Sequence, residues 1–197
     1  MPRLADIDIP ADVLASARFG SERAQAAIYA SLAPATFGLI RRLVGNRALA
    51  EDLFQETLMT VFQGLASFRG EAPVGVWVRQ IAVSKCLMYL RSPWHRARLR
   101  ISDGGLDGRS GEELLPATPG PRAEALDVER ALASLTPTAR AVVWLFEVEG
   151  YSHEEIARSF GRSVSFSKSQ LARAHIRLRE WFELPVDRQT CTTLLTK

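Results

Sequence analysis

The sequence predicts an all-α chain built as two small helical domains joined by a flexible linker. Three observations predict it. Apolar residues recur at three- and four-residue spacing along most of the chain, while the alternation expected of strands is nearly absent. Helix start and stop residues punctuate that pattern, most clearly around Ser152, Glu155 and Gly161. Between Ile101 and Pro121 the pattern lapses: Gly104, Gly105, Gly108, Gly111 and Gly120 mix with Pro116, Pro119 and Pro121, the composition of a linker. The expected division is an N-terminal extension over 1–20, a first domain over 21–100, a linker over 101–122, a second domain over 123–183 and a loose tail over 184–197.

Each helix has its own justification. Ser21 can cap a helix reaching about Ala33, with Ala24, Ala27, Ile28 and Leu32 inward. Pro34 then predicts a break or kink, because proline has no N–H for the helical ladder. Phe37, Ile40, Leu43 and Val44 resume the spacing until Gly45-Asn46. From about Ala48 to Ser67, Phe54, Leu58, Val61, Phe62 and Leu65 mark one helix face. A loop over Phe68–Val74 holds Gly70 and Pro73, and a helix from Gly75 to about Arg91 carries Trp77, Ile81, Leu87 and Met88. Beyond the linker, helices are expected over Ala123–Ser134 and from Thr136-Pro137 through the apolar Ala141–Phe146, a capping residue with proline at the first helical position.

The last two helices say the most about function. Ser152 and Glu155 form an S-x-x-E capping box, which satisfies two backbone N–H groups at a helix start. Gly161 ends that helix, since glycine takes left-handed angles without penalty. Ser163 caps a longer helix to Phe182 that carries Lys168, Arg173, Arg177 and Arg179. Two capped helices around a glycine turn, the second basic, form the helix-turn-helix pattern that sets a recognition helix in the DNA major groove.

Composition narrows the remaining classes. With 47% hydrophobic and 24% charged residues, the chain builds cores rather than staying disordered. Its charge is segregated. From Arg69 to Arg100 the cations Arg69, Arg79, Lys85, Arg91, Arg96, Arg98 and Arg100 face one acid, Glu71. From Asp103 to Glu129 acids predominate, so separate surfaces for separate partners are expected. Cys86 and Cys191 do not make a disulfide framework, and with His95, His153 and His175 they show no zinc-ligand spacing; no metal or cofactor is expected. Cys86 reads as a small buried hydrophobe. No phosphate-binding glycine loop and no nucleophile with a nearby base point to an enzyme. No apolar run approaches the roughly 20 residues that cross a bilayer, and the N-terminus lacks a signal-peptide layout, so a cytoplasmic protein without membrane insertion is expected.

Two motifs in order give the chain a family likeness. Ala50-Glu51-Asp52-Leu53-Phe54-Gln55-Glu56-Thr57 resembles the A-E-D-L-x-Q-E-x signature of region 2 in the extracytoplasmic-function (ECF) sigma factors of bacterial RNA polymerase. Phe68-Arg69-Gly70-Glu71 and Val76-Trp77-Val78-Arg79-Gln80-Ile81-Ala82 are similar to the segment that follows it. Leu135-Thr136-Pro137 and the helix-turn-helix resemble region 4 of the same family. The likeness spans roughly residues 20–183. Val83 and Ser84 depart from the family's Arg-Asn after Ile-Ala, and Ser165-Phe166-Ser167-Lys168-Ser169-Gln170 departs from its common G-T-V-K-S-R.

The resemblance assigns surfaces. On residues alone, Asp52, Gln55, Glu56 and Gln63 read as a solvated polar helix face. The likeness implies that this face docks on core RNA polymerase, its acids steering encounter and register. Phe68 and Trp77 read first as core anchors. The likeness implies that the loop Phe68–Val74 lodges a base flipped from the −10 strand, with Phe68, Arg69, Gly70, Arg79, Ser84 and Lys85 as its contacts. On the −35 duplex it implies Arg162, Ser165, Phe166, Lys168, Ser169, Gln170, Arg173 and Arg177, with Ala172 on the same side. Arg162 and Arg177 suit phosphates. Gln170 stands where arginine is common, and glutamine pairs with adenine where arginine favours guanine. Ile156, Phe160, Leu171 and Leu178 are expected in the core and His175 idle on the surface. Control by an anti-sigma factor is a further implication. The rival is a helix-turn-helix regulator that never binds core polymerase; it leaves Glu51–Thr57 and the first basic segment without a use.

Overall fold

A computed structural model of the chain describes residues 3–92 and 128–183, which fall in two compact units. The expected linker, the tail, Cys191, Trp94, His95 and the cations from Arg96 to Arg100 lie outside the described residues. Among the described residues every regular element is helical, and no helix is long and apolar enough to cross a membrane.

The first unit begins with a 3₁₀ turn over Leu4–Asp6 and continues through α1 (Ala11–Arg18), α2 (Glu22–Val44), α3 (Arg47–Gly64) and α4 (Val74–Arg91). Local signals set the ends. Ser21 Oγ accepts from Ala24 N at 3.4 Å to start α2. Gly45 ends α2 at φ 72°, and Asn46 Oδ1 accepts from Leu49 N at 2.9 Å to start α3. α2, α3 and α4 pack pairwise around Ile28, Leu32, Ile40, Leu43, Val61, Leu65, Val78 and Leu87, all at most 2% exposed.

Of the break or kink expected at Pro34, the break is absent: α2 runs through it. The proline is exposed, while Leu32, Thr36, Leu39 and Ile40 around it are buried, so tertiary packing outweighs one missing ladder bond. Residues 4–18, expected only as an extension, carry structure of their own. The Leu4–Asp6 turn packs on α4 and α2, burying Leu4 and Ile9, and α1 packs on α2 with Ala17 inside.

The second unit has a helical stretch over residues 128–133, then α5 (Pro137–Val143), α6 (His153–Phe160) and α7 (Val164–Glu183). Thr136 Oγ1 accepts from Ala139 N at 3.3 Å with Pro137 first in the helix. The continuation expected through Phe146 is a π turn over Trp144–Val148, in which Glu149 N bonds to Trp144 O at 3.1 Å. The Ser152–Glu155 box is formed from both sides, at 3.2 and 2.8 Å. Gly161 closes α6 at φ 61°, and Ser163 Oγ accepts from Phe166 N at 3.3 Å to open α7. Ala141, Val142, Leu145, Ile156, Leu171 and Ala174 fill the core, and Leu178 is half-buried.

Candidate nucleic-acid interface

In the second unit two contacts to α6 hold the basic helix, and a third backs them. Phe166 packs on Phe160 with ring centroids 5.6 Å apart. Ser167 is completely buried, and its Oγ shares a 2.9 Å hydrogen bond with His153 Nδ1 at the start of α6. His153 in turn stacks on Phe146 at 4.4 Å. The buried Ser167 hydroxyl therefore meets the polar partner it requires.

One outward face of α7 carries Ser165, Lys168, Ser169, Ala172 and Arg173, all exposed, with Ile176 57% exposed beside them. Offsets of three, four, seven and eight residues place them on one face. The other expected contacts divide. Gln170 is half-buried at the margin of that face. Phe166 is half-buried against Phe160, so its ring serves packing, with the exposed Arg162 guanidinium 5.9 Å above it. Arg177 is exposed and 3.4 Å from Glu180. His175, expected idle, lies 3.0 Å from Glu147 Oε1, joining α7 to the π turn.

In the first unit, Asp52, Gln55, Glu56 and Gln63 are all exposed on the side of α3 opposite Leu53, Thr57 and Val61. Met59, 61% exposed, sits within the same stripe. Its spacing from Gln55 and Gln63 is one helical turn each way, so the exposed stripe combines an adaptable thioether with the acids Asp52 and Glu56.

Phe68 opens the loop toward α4. Its ring stacks on Trp77, with centroids 4.8 Å apart and planes 29° from parallel. Arg69 is exposed, 3.7 Å from Glu71, and Gly70 adopts φ 75°, a left-handed angle that favours glycine. Ser84 lies on the exposed stripe of α4 with Gln80, Met88 and Arg91. Arg79 is half-buried and, at about 100° per residue, sits roughly 140° round the helix from Ser84. Lys85 is mostly covered and its Nζ lies 3.7 Å from Glu56 Oε2 on α3. The structure thus ties one expected DNA contact to one expected polymerase contact.

Residues 28–96 match the family described as Sigma-70 region 2, and residues 125–178 match Sigma-70, region 4. The RNA polymerase sigma factor CarQ of Myxococcus xanthus is 31% identical over 165 residues, covering 83% of this chain and 91% of CarQ. The chain belongs to the ECF branch of the sigma-70 family. The ECF RNA polymerase sigma factor SigE of Mycolicibacterium smegmatis is 31% identical over 153 residues, 74% of this chain, but the match spans only 56% of SigE. Among solved structures, the sigma factor RpoE in complex with the anti-sigma factor NepR from Bartonella quintana overlays with a TM-score of 0.55 at 25% identity, covering 81% of this chain and 96% of RpoE.

Within this sigma factor, region 2 buries Cys86 in α4 at 0% exposure, and that burial pushes the thiol up from 9.0 to about 12. The folded chain therefore holds the proton more tightly than the unfolded chain. This stabilisation is complete below pH 9 and is lost as pH rises toward 12. With Cys191 replaced by serine, the native protein is expected to resist a thiol-disulfide reagent at pH 8 and to react only as fast as it unfolds. Absorbance of the released thiolate checks this; fast stoichiometric release from folded protein would contradict it.

Proposed function

We propose that the chain directs promoter-specific transcription initiation as an alternative sigma factor. In this reading residues 21–100 serve as region 2, docking on core RNA polymerase through Asp52, Gln55, Glu56 and Gln63 with Met59 among them. The loop Phe68–Val74 and Ser84 receive the unpaired −10 strand, with Arg79 and Lys85 in supporting positions. Residues 123–183 serve as region 4, and α7 enters the −35 major groove. The chain has no catalytic role and works in the cytoplasm with the polymerase. An anti-sigma factor restrains it, a reading supported by the likeness to RpoE solved with NepR. The observation that carries the proposal is the presence of both sigma regions, in order, in one chain.

The chemistry of α7 suits its role. Lys168 and Arg173 are exposed on the face that also holds Ser165, Ser169 and Ala172, mixing charge with short side chains that allow close approach to bases. Arg173→Ala is expected to weaken −35 binding by about 1–3 kcal/mol and to relax base choice at one position. Sequencing transcript starts from a genomic library checks this, and an unchanged promoter profile would contradict the role of Arg173. Co-purification with core polymerase tests the whole reading: retention of the chain on core supports it, and a chain that binds an operator yet never core would be a helix-turn-helix regulator instead.

A further inference from the structure

Arg18, the last residue of α1, reaches from the N-terminal segment to the start of the −10 loop. Its Nη2 donates to the Phe68 carbonyl, and its guanidinium carbon lies 5.9 Å from the Phe68 ring centroid, within cation–π range. That ring stacks on Trp77. Trp77 in turn lies so close to Gly64 that a Cβ there would sit 3.1 Å from the indole. The loop's first residue is therefore gripped at both its carbonyl and its ring.

The gripping end is itself anchored. Ala17 is 2% exposed, and its carbonyl accepts from Gln25 Nε2 at 3.3 Å and from Gly20 N at 3.1 Å. Ser21 N bonds to Ser16 O at 3.1 Å. α1 thus cannot drift without breaking the turn into α2. Arg18 also precedes residues 28–96, the segment that matches region 2, so the grip comes from outside the matched segment.

We propose that Arg18 is a positioning residue for −10 strand recognition, presetting the Phe68 end of the loop through Arg18–Phe68–Trp77. This rests on the reading that the loop receives an unpaired base. A loop ordered before binding loses less conformational entropy when the strand arrives, so the grip acts on opening rather than on duplex recognition. The alternative use of an exposed arginine is a direct phosphate contact. The two differ in chemistry: a phosphate accepts any nearby ammonium, whereas the grip needs a planar fork that bonds a carbonyl while lying over a ring.

The test uses the full-length chain with core polymerase, comparing wild type, Arg18→Ala and Arg18→Lys. Opening is read from 2-aminopurine fluorescence in the −10 non-template strand, alongside core affinity, −35 duplex affinity and thermal unfolding. Both substitutions are expected to slow opening on duplex promoters about tenfold, the scale of one charge-assisted hydrogen bond, while the other three readouts hold. Restoration of opening by Arg18→Lys would overturn the proposal in favour of a phosphate contact. Unchanged opening in Arg18→Ala, or loss of core binding in step with a lowered melting temperature, would overturn it too. Failure of the wild type to open any promoter would instead sink the reading of the loop itself.

Discussion

Replacing Arg140 with leucine is expected to destabilise region 4 by about 1–3 kcal/mol, the cost of stranding a buried carbonyl that its guanidinium satisfies. Arg140 is 9% exposed, and its guanidinium donates to Leu132 O at 2.9 Å, Ala133 O at 3.3 Å and Leu135 O at 3.4 Å. These carbonyls lie at the end of the helical stretch 128–133, where a helix leaves its last acceptors unpaired and its dipole favours a cation. Burial lowers the pKa of Arg140, yet arginine keeps its charge through the physiological range. Leucine fills the volume but leaves the buried Leu135 carbonyl without its donor, while the Leu132 carbonyl keeps only the Leu135 N–H at 3.2 Å. A unit this small has little stability to lose, so −35 binding should fall with the fold. Urea unfolding followed by circular dichroism reads the effect, and an unchanged midpoint for the region 4 transition would contradict it.

Substituting Gly75 with alanine is expected to undock the N-terminal turn from region 2. A Cβ at Gly75 would stand 2.0 Å from the Leu4 carbonyl oxygen and 2.6 Å from that of Ile7. Both atoms belong to backbone, so no side-chain rotation relieves the clash and the segment must move away. Undocking exposes Leu4 and Ile9, which are 2% and 6% exposed in the folded chain. The expected cost is about 2–4 kcal/mol, after allowing for the roughly 1 kcal/mol that alanine adds to α4 by helix propensity. Removing residues 1–10 separates the two effects: in the shortened chain Gly75→Ala should be neutral or stabilising. Equal destabilisation in both backgrounds would contradict the close approach as its cause.

These two positions also mark where the sequence was legible and where it was not. Signals confined to a few neighbouring residues read true. Ser21, Gly45, Thr136-Pro137, the Ser152–Glu155 box and Gly161 each fix an end by local hydrogen bonding or backbone freedom, and α3 follows from its apolar spacing alone. Gly75 gave no such signal, because its reason is a carbonyl contributed from the far end of the unit. At Pro34 a related cause acts, as burial on both sides carries the helix past a residue whose local rule allows a break. The π turn at Trp144 escaped because one extra residue in a turn leaves the apolar run intact.

The surfaces were partly legible. Helical spacing placed Asp52, Gln55, Glu56 and Gln63 on one exposed face, and Lys168, Ser169, Ala172 and Arg173 on another. Spacing cannot tell a half-buried edge from an exposed one: Phe166, which the family resemblance offers to the −35 duplex, is half-buried and packs on Phe160. Nor can it foresee pairs formed between helices, such as His153 with Ser167 and Lys85 with Glu56. Arg18 lies beyond both family motifs and became visible only once α1 was seen beside Phe68.

The central claim is that one chain couples promoter reading to the polymerase. Run-off transcription with purified core enzyme on a fragmented genome, with and without this chain, tests it most directly. The account predicts discrete start sites that appear only with the chain and share a paired upstream sequence, one element read as duplex and one as open strand. Transcripts indistinguishable from those of core alone, using protein freed of any inhibitor, would contradict it.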